Sequence, residues 1–158
     1  MIRFDEIIQK TICEEMKNDN NIILMGLGVG DPKNIFGTTT NLKNIFGEKR
    51  VMDIPCSENA ITGISLGMAL EGKKVILTHQ RFDFALLSFD QLINNIAKWK
   101  YMFNSNDKVN ITIRIVIGQG WGQGPTHCQN FQSMLAHIPG LKIYFPSNAE
   151  NMHHILKK

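Results

Sequence analysis

The sequence predicts an α/β fold of three layers, in which a mostly parallel sheet carries helices on both faces. Three observations support this prediction. The chain has 158 residues, of which 43% are hydrophobic and 20% charged, so it can bury one sizeable core. Short apolar runs alternate with segments of helical spacing along the whole chain. Turn-forming residues separate these segments. We therefore expect residues 1–158 to form one domain.

The first half of the chain predicts one helix, two strands and a long loop. Apolar residues at helical spacing over residues 4–16 predict the first helix. The apolar run at residues 22–25 ends on a glycine and predicts a short buried strand. Residues 31–47 contain a proline and two glycines without any period, so they predict a long loop, a kind of segment that is often functional. Residues 51–54 predict the second strand.

The middle of the chain continues the alternation of helix and strand. Small residues predict a helix over residues 57–70, in which Gly63 and Gly67 stand four positions apart and let another backbone approach closely. Residues 75–77 predict the third strand. Apolar residues that recur at helical spacing predict a long amphipathic helix over residues 84–101.

The last third predicts two further strands and two helices. Strand-forming residues at 111–117 predict a strand that runs into a glycine-rich loop. A helix near residues 129–136 and a strand at residues 141–145 follow. Ser147 and Glu150, three residues apart, form a capping box that predicts the start of the last helix.

Composition argues against several classes of function. The 17 basic and 14 acidic residues are mixed along the chain, so the net charge of +3 makes no patch for nucleic acid. The three cysteines are odd in number and far apart, which argues against disulfides and a metal site and indicates a reducing compartment. His153 and His154 are expected on the solvated surface. No run approaches the ~18 apolar residues of a membrane span, so we expect a cytoplasmic protein.

Three glycine-rich stretches fail as phosphate-binding loops. Residues 26–30 and 118–124 lack the glycine spacing of a dinucleotide-binding loop. Residues 67–74 lack the Ser or Thr of a Walker A motif and lie between a helix and a strand, so they predict a helix C-cap.

Glu58 is the most informative residue of the chain. Ligands of parallel sheets lie beyond the carboxyl ends of the strands, and Glu58 lies in the segment after the second predicted strand. Taken alone, Glu58 at the first turn of a helix is a partner of the helix dipole, and Ser57 before it is a good N-cap. The residues around it decide between this structural role and a chemical one.

Ordered blocks of residues carry a resemblance that covers nearly the whole chain. They are residues 49–58, 82–85, 89–94, 97–98 and 101–102, followed by Gly124, His127, Gln129, Phe131, His137, 139–142 and Pro146. In this order and at these separations they resemble the β subunit of thiamine-diphosphate-dependent 2-oxoacid dehydrogenases, of the pyruvate or branched-chain kind. The resemblance implies the thiamine-diphosphate-binding fold and its transketolase-like pyrimidine-binding domain.

The resemblance implies roles for five residues. Glu58 matches the family's catalytic glutamate, which hydrogen-bonds N1′ of the aminopyrimidine and favours the imino form that takes a proton from the thiazolium. Phe84 matches the aromatic residue that stacks on the pyrimidine, although by itself it predicts only a core position. His127 matches a catalytic histidine near the reacting carbon, although by itself it predicts a helix cap. Cys56, just before Glu58, and Gln80, which replaces an apolar residue supporting the ring, are expected at the cofactor.

The chain also departs from the family. Leu27 stands where the family has an acidic residue near the pyrimidine. The Gly-Asp-Gly signature followed by Asn, which holds Mg²⁺ and diphosphate, is absent. The resemblance therefore implies an α-type partner subunit that binds Mg²⁺ and diphosphate, in an α₂β₂-like assembly with a homodimer contact. The family's C-terminal transketolase domain is also absent. We expect that it is a separate polypeptide, that it has been lost, or that this chain is an excised domain.

The expected function is that of a β-type subunit supplying the pyrimidine half-site of a thiamine-diphosphate enzyme. Such an enzyme decarboxylates a 2-oxo acid or transfers the resulting acyl or ketol group. A split transketolase or a 2-oxoacid decarboxylase subunit is a second interpretation, and a non-catalytic interaction module retaining the fold is a third. Glu58 argues against the third, because a degenerate module has no chemical need for that carboxylate.

Overall fold

A four-stranded parallel sheet forms the centre of the computed structural model, which describes residues 2–157. The strands are β1 (Ile22–Gly26), β2 (Val51–Asp53), β3 (Lys74–His79) and β4 (Ile111–Ile115), and they lie in the order β2-β1-β3-β4. All three strand pairs are parallel. The predicted α/β fold is thus confirmed.

Seven α-helices accompany the sheet within the described residues. They are α1 (Phe4–Asn18), α2 (Leu42–Phe46), α3 (Glu58–Leu70), α4 (Phe82–Ala85), α5 (Trp99–Met102), α6 (Gln132–Ala136) and α7 (Ala149–Leu156). Between α4 and α5 the chain forms a 3₁₀ turn, Leu86–Ser88, and a π-helical segment, Gln91–Ile96.

The core lies on both faces of the sheet, as the three-layer prediction requires. Every residue of β1 is buried, so the central strand is covered from both sides. Leu24 belongs to a cluster that includes residues of α1, whereas Met25 packs in a second cluster with Ile61 of α3. The alternation of these side chains along one strand is the period of two that a sheet imposes.

Strand register brings three residues together at the carboxyl edge of the sheet. Gly26, the last residue of β1, pairs with Asp53 of β2 and with Thr78 of β3. A Cβ atom at Gly26 would lie 3.0 Å from the backbone oxygen of Thr78, so only glycine fits there without displacement. The loops that leave β1, β2 and β3 therefore begin side by side.

The predicted helix over residues 84–101 is helical in the structure but is not one regular α-helix, since its junction residues keep right-handed helical φ and ψ while the hydrogen-bonding pattern changes. The chain forms α4, the 3₁₀ turn, the π-helical segment and α5 in succession. The apolar residues of this stretch, among them Phe89, Leu92, Ile93 and Ile96, pack in one cluster with Phe82 and Leu135. A π turn holds more residues than an α turn, so it changes which side chains face a given neighbour. Packing against that cluster explains the interruption.

The predicted loop over residues 31–47 is more ordered than expected. It contains α2, and three consecutive residues, Asn34, Ile35 and Phe36, have positive φ values of 43°, 46° and 58°. Ile35 is buried, and the hydroxyl of Thr39 donates a hydrogen bond of 3.0 Å to the carbonyl of Val29. Tertiary contacts thus order a segment that has no sequence period.

Two predictions for the C-terminal part are also wrong. Residues 141–145 form no strand, and Ile143, Tyr144 and Phe145 remain exposed, because no ladder partner lies beside them. The N-cap of α7 is Asn148, whose side chain accepts a hydrogen bond from the backbone N–H of Asn151. The predicted capping box at Ser147 is therefore not used.

Two surface expectations also change. His153 was expected on the solvated surface, but it is half-buried and its Nδ1 lies 2.8 Å from the hydroxyl of Thr11, which ties α7 to α1. A Cβ at Gly63 would touch the side chain of Gln91 at 3.2 Å, whereas at Gly67 nothing in the described chain lies within 4 Å. No second backbone of this chain therefore approaches Gly67.

Candidate active site

A cleft opens at the carboxyl ends of β1, β2 and β3. It is lined by residues from four consecutive parts of the fold: Leu27, Ile54, Pro55, Glu58, Thr78, His79, Gln80 and Phe84. Three of these residues are ones that the sequence predicts at the site, namely Glu58, Gln80 and Phe84. The cleft lies at the edge where parallel sheets bind their ligands.

The loop after β1 is held from both sides of the cleft. The Oδ1 atom of Asp53 accepts hydrogen bonds from the backbone N–H groups of Gly28, at 2.8 Å, and Ile54, at 3.0 Å. From the other side, Nε2 of Gln80 donates a bond of 2.8 Å to the carbonyl of Leu27. Gly28 has a φ of 80°, and a Cβ there would lie 3.1 Å from the amide nitrogen of Gln80. These contacts fix the backbone that forms one wall of the cleft.

Glu58 lies at the mouth of this cleft as the first residue of α3. It is half-buried, and Leu27, Ile54 and Pro55 supply apolar walls around it. The side chain of Ser57 occupies the N-cap position but makes no capping hydrogen bond, contrary to the simple N-cap expectation. Glu58 is the only carboxylate among the lining residues, so it is the one group there that can offer a negatively charged hydrogen-bond partner to a polar heterocycle.

Phe84 and His127 lie against each other at the side of the cleft. Their ring centroids are 5.2 Å apart, and the rings are almost perpendicular at 85°. Phe84 lines the cleft. His127 is not among the lining residues; it is half-buried and contacts the ring of Phe84. The Nδ1 atom of His127 lies 3.1 Å from the hydroxyl of Thr126. The geometry thus unites Glu58, Gln80 and Phe84 in one cleft and places His127 beside Phe84.

Cys56 differs from the other predicted residues in its position. It is an exposed free thiol two positions before Glu58, and it is not among the residues that line the cleft. It stands at the outer side of the turn between β2 and α3.

His79 is a residue of the cleft that sequence reasoning missed. It is 3% exposed, and its Nε2 lies 3.3 Å from the hydroxyl of Thr62 on α3. Burial lowers the pKa of His79 to about 4, so the ring is neutral at pH 7. The sequence prediction ended the third strand at Leu77. Extending the alternation of Val75 and Leu77 by one step would have placed His79 on the same buried face.

Two buried arginines lie near this edge of the sheet. Arg114, paired with Thr78 across β3 and β4, donates from Nη1 to the Thr78 hydroxyl at 3.2 Å. Burial lowers the pKa of Arg114 to about 10, and it also lowers the pKa of Arg81. Within residues 2–157 neither guanidinium makes a salt bridge. The sequence shows both residues but gives no sign of their burial.

The described part of the chain contains neither a cluster of metal-binding side chains nor a helix suited to cross a membrane. Residues 2–157 hold no group of three or more His, Cys, Asp or Glu side chains that could bind a metal ion. Among the helices of the same residues, none combines the length and the apolar character that crossing a membrane requires.

Comparison with known proteins identifies relatives over the whole chain. Residues 1–158 match the family model described as transketolase, pyrimidine binding domain. The mitochondrial pyruvate dehydrogenase E1 component subunit beta of Saccharomyces cerevisiae is 33% identical over 152 residues, which are 96% of this chain and 42% of that protein. The 2-oxoisovalerate dehydrogenase subunit beta of Bacillus subtilis is 33% identical over 157 residues, which are 99% of this chain and 48% of that protein.

The relatives confirm the resemblance drawn from the sequence. A third one, the pyruvate dehydrogenase E1 component subunit beta of Rickettsia felis, is 33% identical over 146 residues, covering 92% of this chain and 45% of that protein. The chain thus spans less than half the length of each of these relatives. They include a mitochondrial protein and bacterial ones, so the similarity by itself assigns no compartment.

Proposed function

Because the chain belongs to the transketolase pyrimidine-binding domain family, we propose that it supplies the pyrimidine half-site of a thiamine-diphosphate-dependent enzyme. In this proposal the enzyme decarboxylates a 2-oxo acid or transfers the resulting acyl or ketol group. The observation that carries the proposal is the cleft in which Glu58 is the only carboxylate and Phe84 presents an aromatic ring. The names of the relatives, pyruvate and 2-oxoisovalerate dehydrogenase subunits, support 2-oxo acids as the substrate class.

The chemical character of the residues that line the cleft suits an aminopyrimidine ring. One carboxylate is available to a ring nitrogen, one aromatic side chain can stack, and Leu27, Ile54 and Pro55 make the surroundings apolar. Ligand sites of this kind combine a mostly apolar lining with a few polar groups that fix orientation. When bound, thiamine diphosphate supplies an electron sink for cleavage of the bond beside a carbonyl group.

Glu58 and the apolar walls act together in this proposal. The Glu58 carboxyl group holds the hydrogen bond to the ring nitrogen N1′ and thereby biases the proton distribution of the aminopyrimidine. Leu27, Ile54 and Pro55 would make the surroundings of that hydrogen bond less polar, which would strengthen it.

The other predicted residues support the ring and the reacting centre. Phe84 would stack on the pyrimidine, and His127 would steady charge or move a proton near the reacting carbon. Gln80 supports the wall of the cleft through its hydrogen bond to Leu27. We place Cys56 at the outer rim, where it borders the cofactor.

We also propose that the active site is completed by a partner chain. The sequence lacks the Gly-Asp-Gly signature for Mg²⁺ and diphosphate, so an α-type subunit would bind them in an α₂β₂-like complex. A contact between two copies of this chain belongs to that assembly, and residues 1–158 act as its pyrimidine-binding domain. We propose the cytoplasm as the compartment, because the cysteines show no disulfide framework.

The test is co-expression with a chain that carries the Gly-Asp-Gly signature, followed by a decarboxylation assay. Pyruvate, 2-oxoisovalerate and a ketose donor distinguish a dehydrogenase component from a split transketolase. Glu58→Gln keeps the shape of the side chain but removes the carboxylate, so we expect the rate to fall by about 10²- to 10⁴-fold. Glu71→Gln, at the exposed C-terminal end of the same helix, is the matched control and should keep the wild-type rate.

Three results would contradict parts of the proposal. Equal rates for Glu58→Gln and the wild type would remove the proposed role of Glu58. Tight calorimetric binding of Mg²⁺ and thiamine diphosphate by this chain alone would contradict the division of the site between two chains. A stable complex that binds cofactor without turning over any of the three substrates would instead favour a non-catalytic interaction module. Co-purification also shows whether a third chain carrying a C-terminal-type domain joins the complex.

A further inference from the structure

The segment that follows β3 holds the segment that follows β4. Nη2 of Arg81 donates a hydrogen bond of 2.8 Å to the side-chain oxygen of Gln123, and the guanidinium carbon lies 3.9 Å from the ring centroid of Trp121. Three positions after Arg81, the ring of Phe84 meets His127 edge to face at 5.2 Å. Arg81 and Phe84 therefore contact the two ends of one stretch, residues 121–127.

Phe82 and Asp83, the two residues between Arg81 and Phe84, make similar contacts with residues 129–131. Phe82 packs edge to face against Phe131, with ring centroids 5.6 Å apart. Asp83 accepts a hydrogen bond of 2.7 Å from the side-chain amide of Gln129. Four consecutive residues thus each hold part of the segment 121–131, which contains His127.

Residues 118–124, a loop that overlaps the start of this segment, have little structure of their own. They contain four glycines, of which Gly120, Gly122 and Gly124 have φ values of 77°, 69° and 81°. A Cβ at any of these three would meet nothing within 4 Å, so the loop makes no close contacts there. Glycine-rich backbone loses the most conformational entropy when it is ordered. The side-chain contacts that order this loop are those of Trp121, with Arg81, Phe36 and the backbone at Gly118, and that of Gln123 with Arg81.

Arg81 is suited to this task by its burial and its shape. Its guanidinium carbon lies 3.9 Å from the ring centroid of Trp121 and 4.8 Å from that of Phe36, two rings that also contact each other edge to face at 5.2 Å. Its Nη1 donates to the carbonyl of Gln80 at 2.7 Å. Among the side chains, only arginine offers a planar cation that can lie against aromatic rings while its N–H groups donate hydrogen bonds in the plane of the guanidinium. It is 6% exposed and makes no salt bridge within residues 2–157. Its buried charge is compensated by the ring contacts, by the oxygens of Gln80 and Gln123 and by the field of the Asp83 carboxylate, while its Nε has no partner among the described residues.

The backbone of the turn that carries Phe36 is strained. Phe36 reaches Arg81 from a turn in which three consecutive residues other than glycine have positive φ. Such a conformation persists only where surrounding contacts hold it in place. The contacts of Phe36 with Arg81 and Trp121 are of that kind.

We propose that Arg81 is a positioning residue, which fastens the glycine-rich loop 118–124 between Phe36 and the end of β3 and so fixes His127 beside Phe84. The effect on catalysis rests on the function proposed above. The fastening of the loop does not, because it follows from contacts within this chain.

The experiment compares backbone order in the full chain of Arg81→Met with that of the wild type. We expect the NMR order parameters of residues 118–127 to fall from about 0.85, typical of rigid backbone, to below about 0.6. The ring-proton shifts of His127 should move towards solvent values, because the edge-to-face contact with Phe84 is lost. Arg81→Lys keeps the charge without the planar stack and should give an intermediate order parameter.

Two further variants make the comparison specific. Arg50→Met is the matched control, since Arg50 lies at the opposite end of the sheet, stacks on Phe46 at 5.1 Å and bonds backbone carbonyls. It should leave the order of the loop unchanged. Gln123→Leu removes one bond to Arg81 from an exposed position, so it replaces Arg81→Met if that variant does not fold. A wild-type order parameter over residues 118–127 in folded Arg81→Met, or in its substitute, would overturn the proposal.

The assembled enzyme gives a separate readout. There we expect Arg81→Met to lower kcat with little change in KM, because a misplaced His127 affects the reacting centre more than substrate binding. A wild-type kcat with a mobile loop would overturn the link to His127. If the wild-type complex shows no turnover while the loop still responds to Arg81→Met, the proposed function fails and the fastening stands.

Discussion

Lowering the pH should destabilise this fold through His79. The ring is 3% exposed beneath the cleft, and its one hydrogen-bonding neighbour is the Thr62 hydroxyl at 3.3 Å. Burial lowers its pKa from 6.5 to about 4. The unfolded chain therefore takes up a proton near pH 6.5, whereas the folded chain takes it up only near pH 4. The stability that the neutral ring provides is complete above pH 6.5 and is lost as the pH falls towards 4.

The size of this effect follows from the same two pKa values. A difference of one in pKa corresponds to 1.36 kcal/mol, so protonation of His79 should cost the folded state about 3 kcal/mol by pH 4. That is a large part of the 5–15 kcal/mol by which domains are usually stable. Urea unfolding at pH 7.5, 6.5, 5.5 and 4.5 measures the free energy of unfolding through the window.

Comparison with two variants isolates His79 from the carboxylates that titrate in the same range. His79→Gln does not titrate and can still bond Thr62, so its stability should fall less than that of the wild type, by about 3 kcal/mol at the acid end. His154→Gln changes an exposed histidine of α7 and should show the wild-type pH dependence. Identical slopes for His79→Gln and the wild type would refute the reasoning.

Two further substitutions test packing. Gly67→Ala should raise the free energy of unfolding of the chain by about 1 kcal/mol, because glycine is a poor helix former and nothing lies within 4 Å of the new methyl group; a loss of stability in urea would show a close neighbour. The same change should weaken any assembly in which a second copy packs on that face, which analytical ultracentrifugation can measure. Arg114→Met should raise the free energy of unfolding by about 1 kcal/mol or more, because it replaces a buried guanidinium without a salt bridge by an apolar side chain of similar length. A marked destabilisation in thermal unfolding would mean that the hydrogen bond to Thr78 outweighs desolvation.

Local sequence patterns predicted the elements whose pattern of burial stays the same along their length. β1 is buried throughout, and α1 carries its apolar residues on one face, so period and run length were sufficient. The stretch from α4 to α5 has an equally good helical pattern and is helical, yet where it packs in the cluster with Leu135 it departs from regular α geometry into 3₁₀ and π turns. Propensity and period contain no information on that packing, and tertiary contacts decided the outcome.

The parts of the candidate site divide in the same way. Glu58, Phe84 and His127 were predicted because the resemblance fixes residue types at given positions. Arg81 and His79 were missed as site residues because their importance lies in burial, which neither the local pattern nor the resemblance indicates. The positive φ values of Ile35 and Phe36 could not be predicted either, because tertiary contacts hold them: Ile35 is buried in the core, and Phe36 packs on Arg81 and Trp121.

Leu27, where the resemblance leads us to expect an acidic residue, bears directly on Glu58. Two carboxylates in one apolar cleft would repel each other, and one of them would tend to hold a proton. Here Leu27 contributes an apolar side chain to the lining, and the nearby Asp53 carboxylate already accepts two backbone hydrogen bonds outside it. Glu58 is consequently the one carboxylate of the lining whose hydrogen bonding is open to a ligand. With Leu27 at that position, Glu58 is therefore the residue of the lining that can provide a carboxylate to a basic heterocycle.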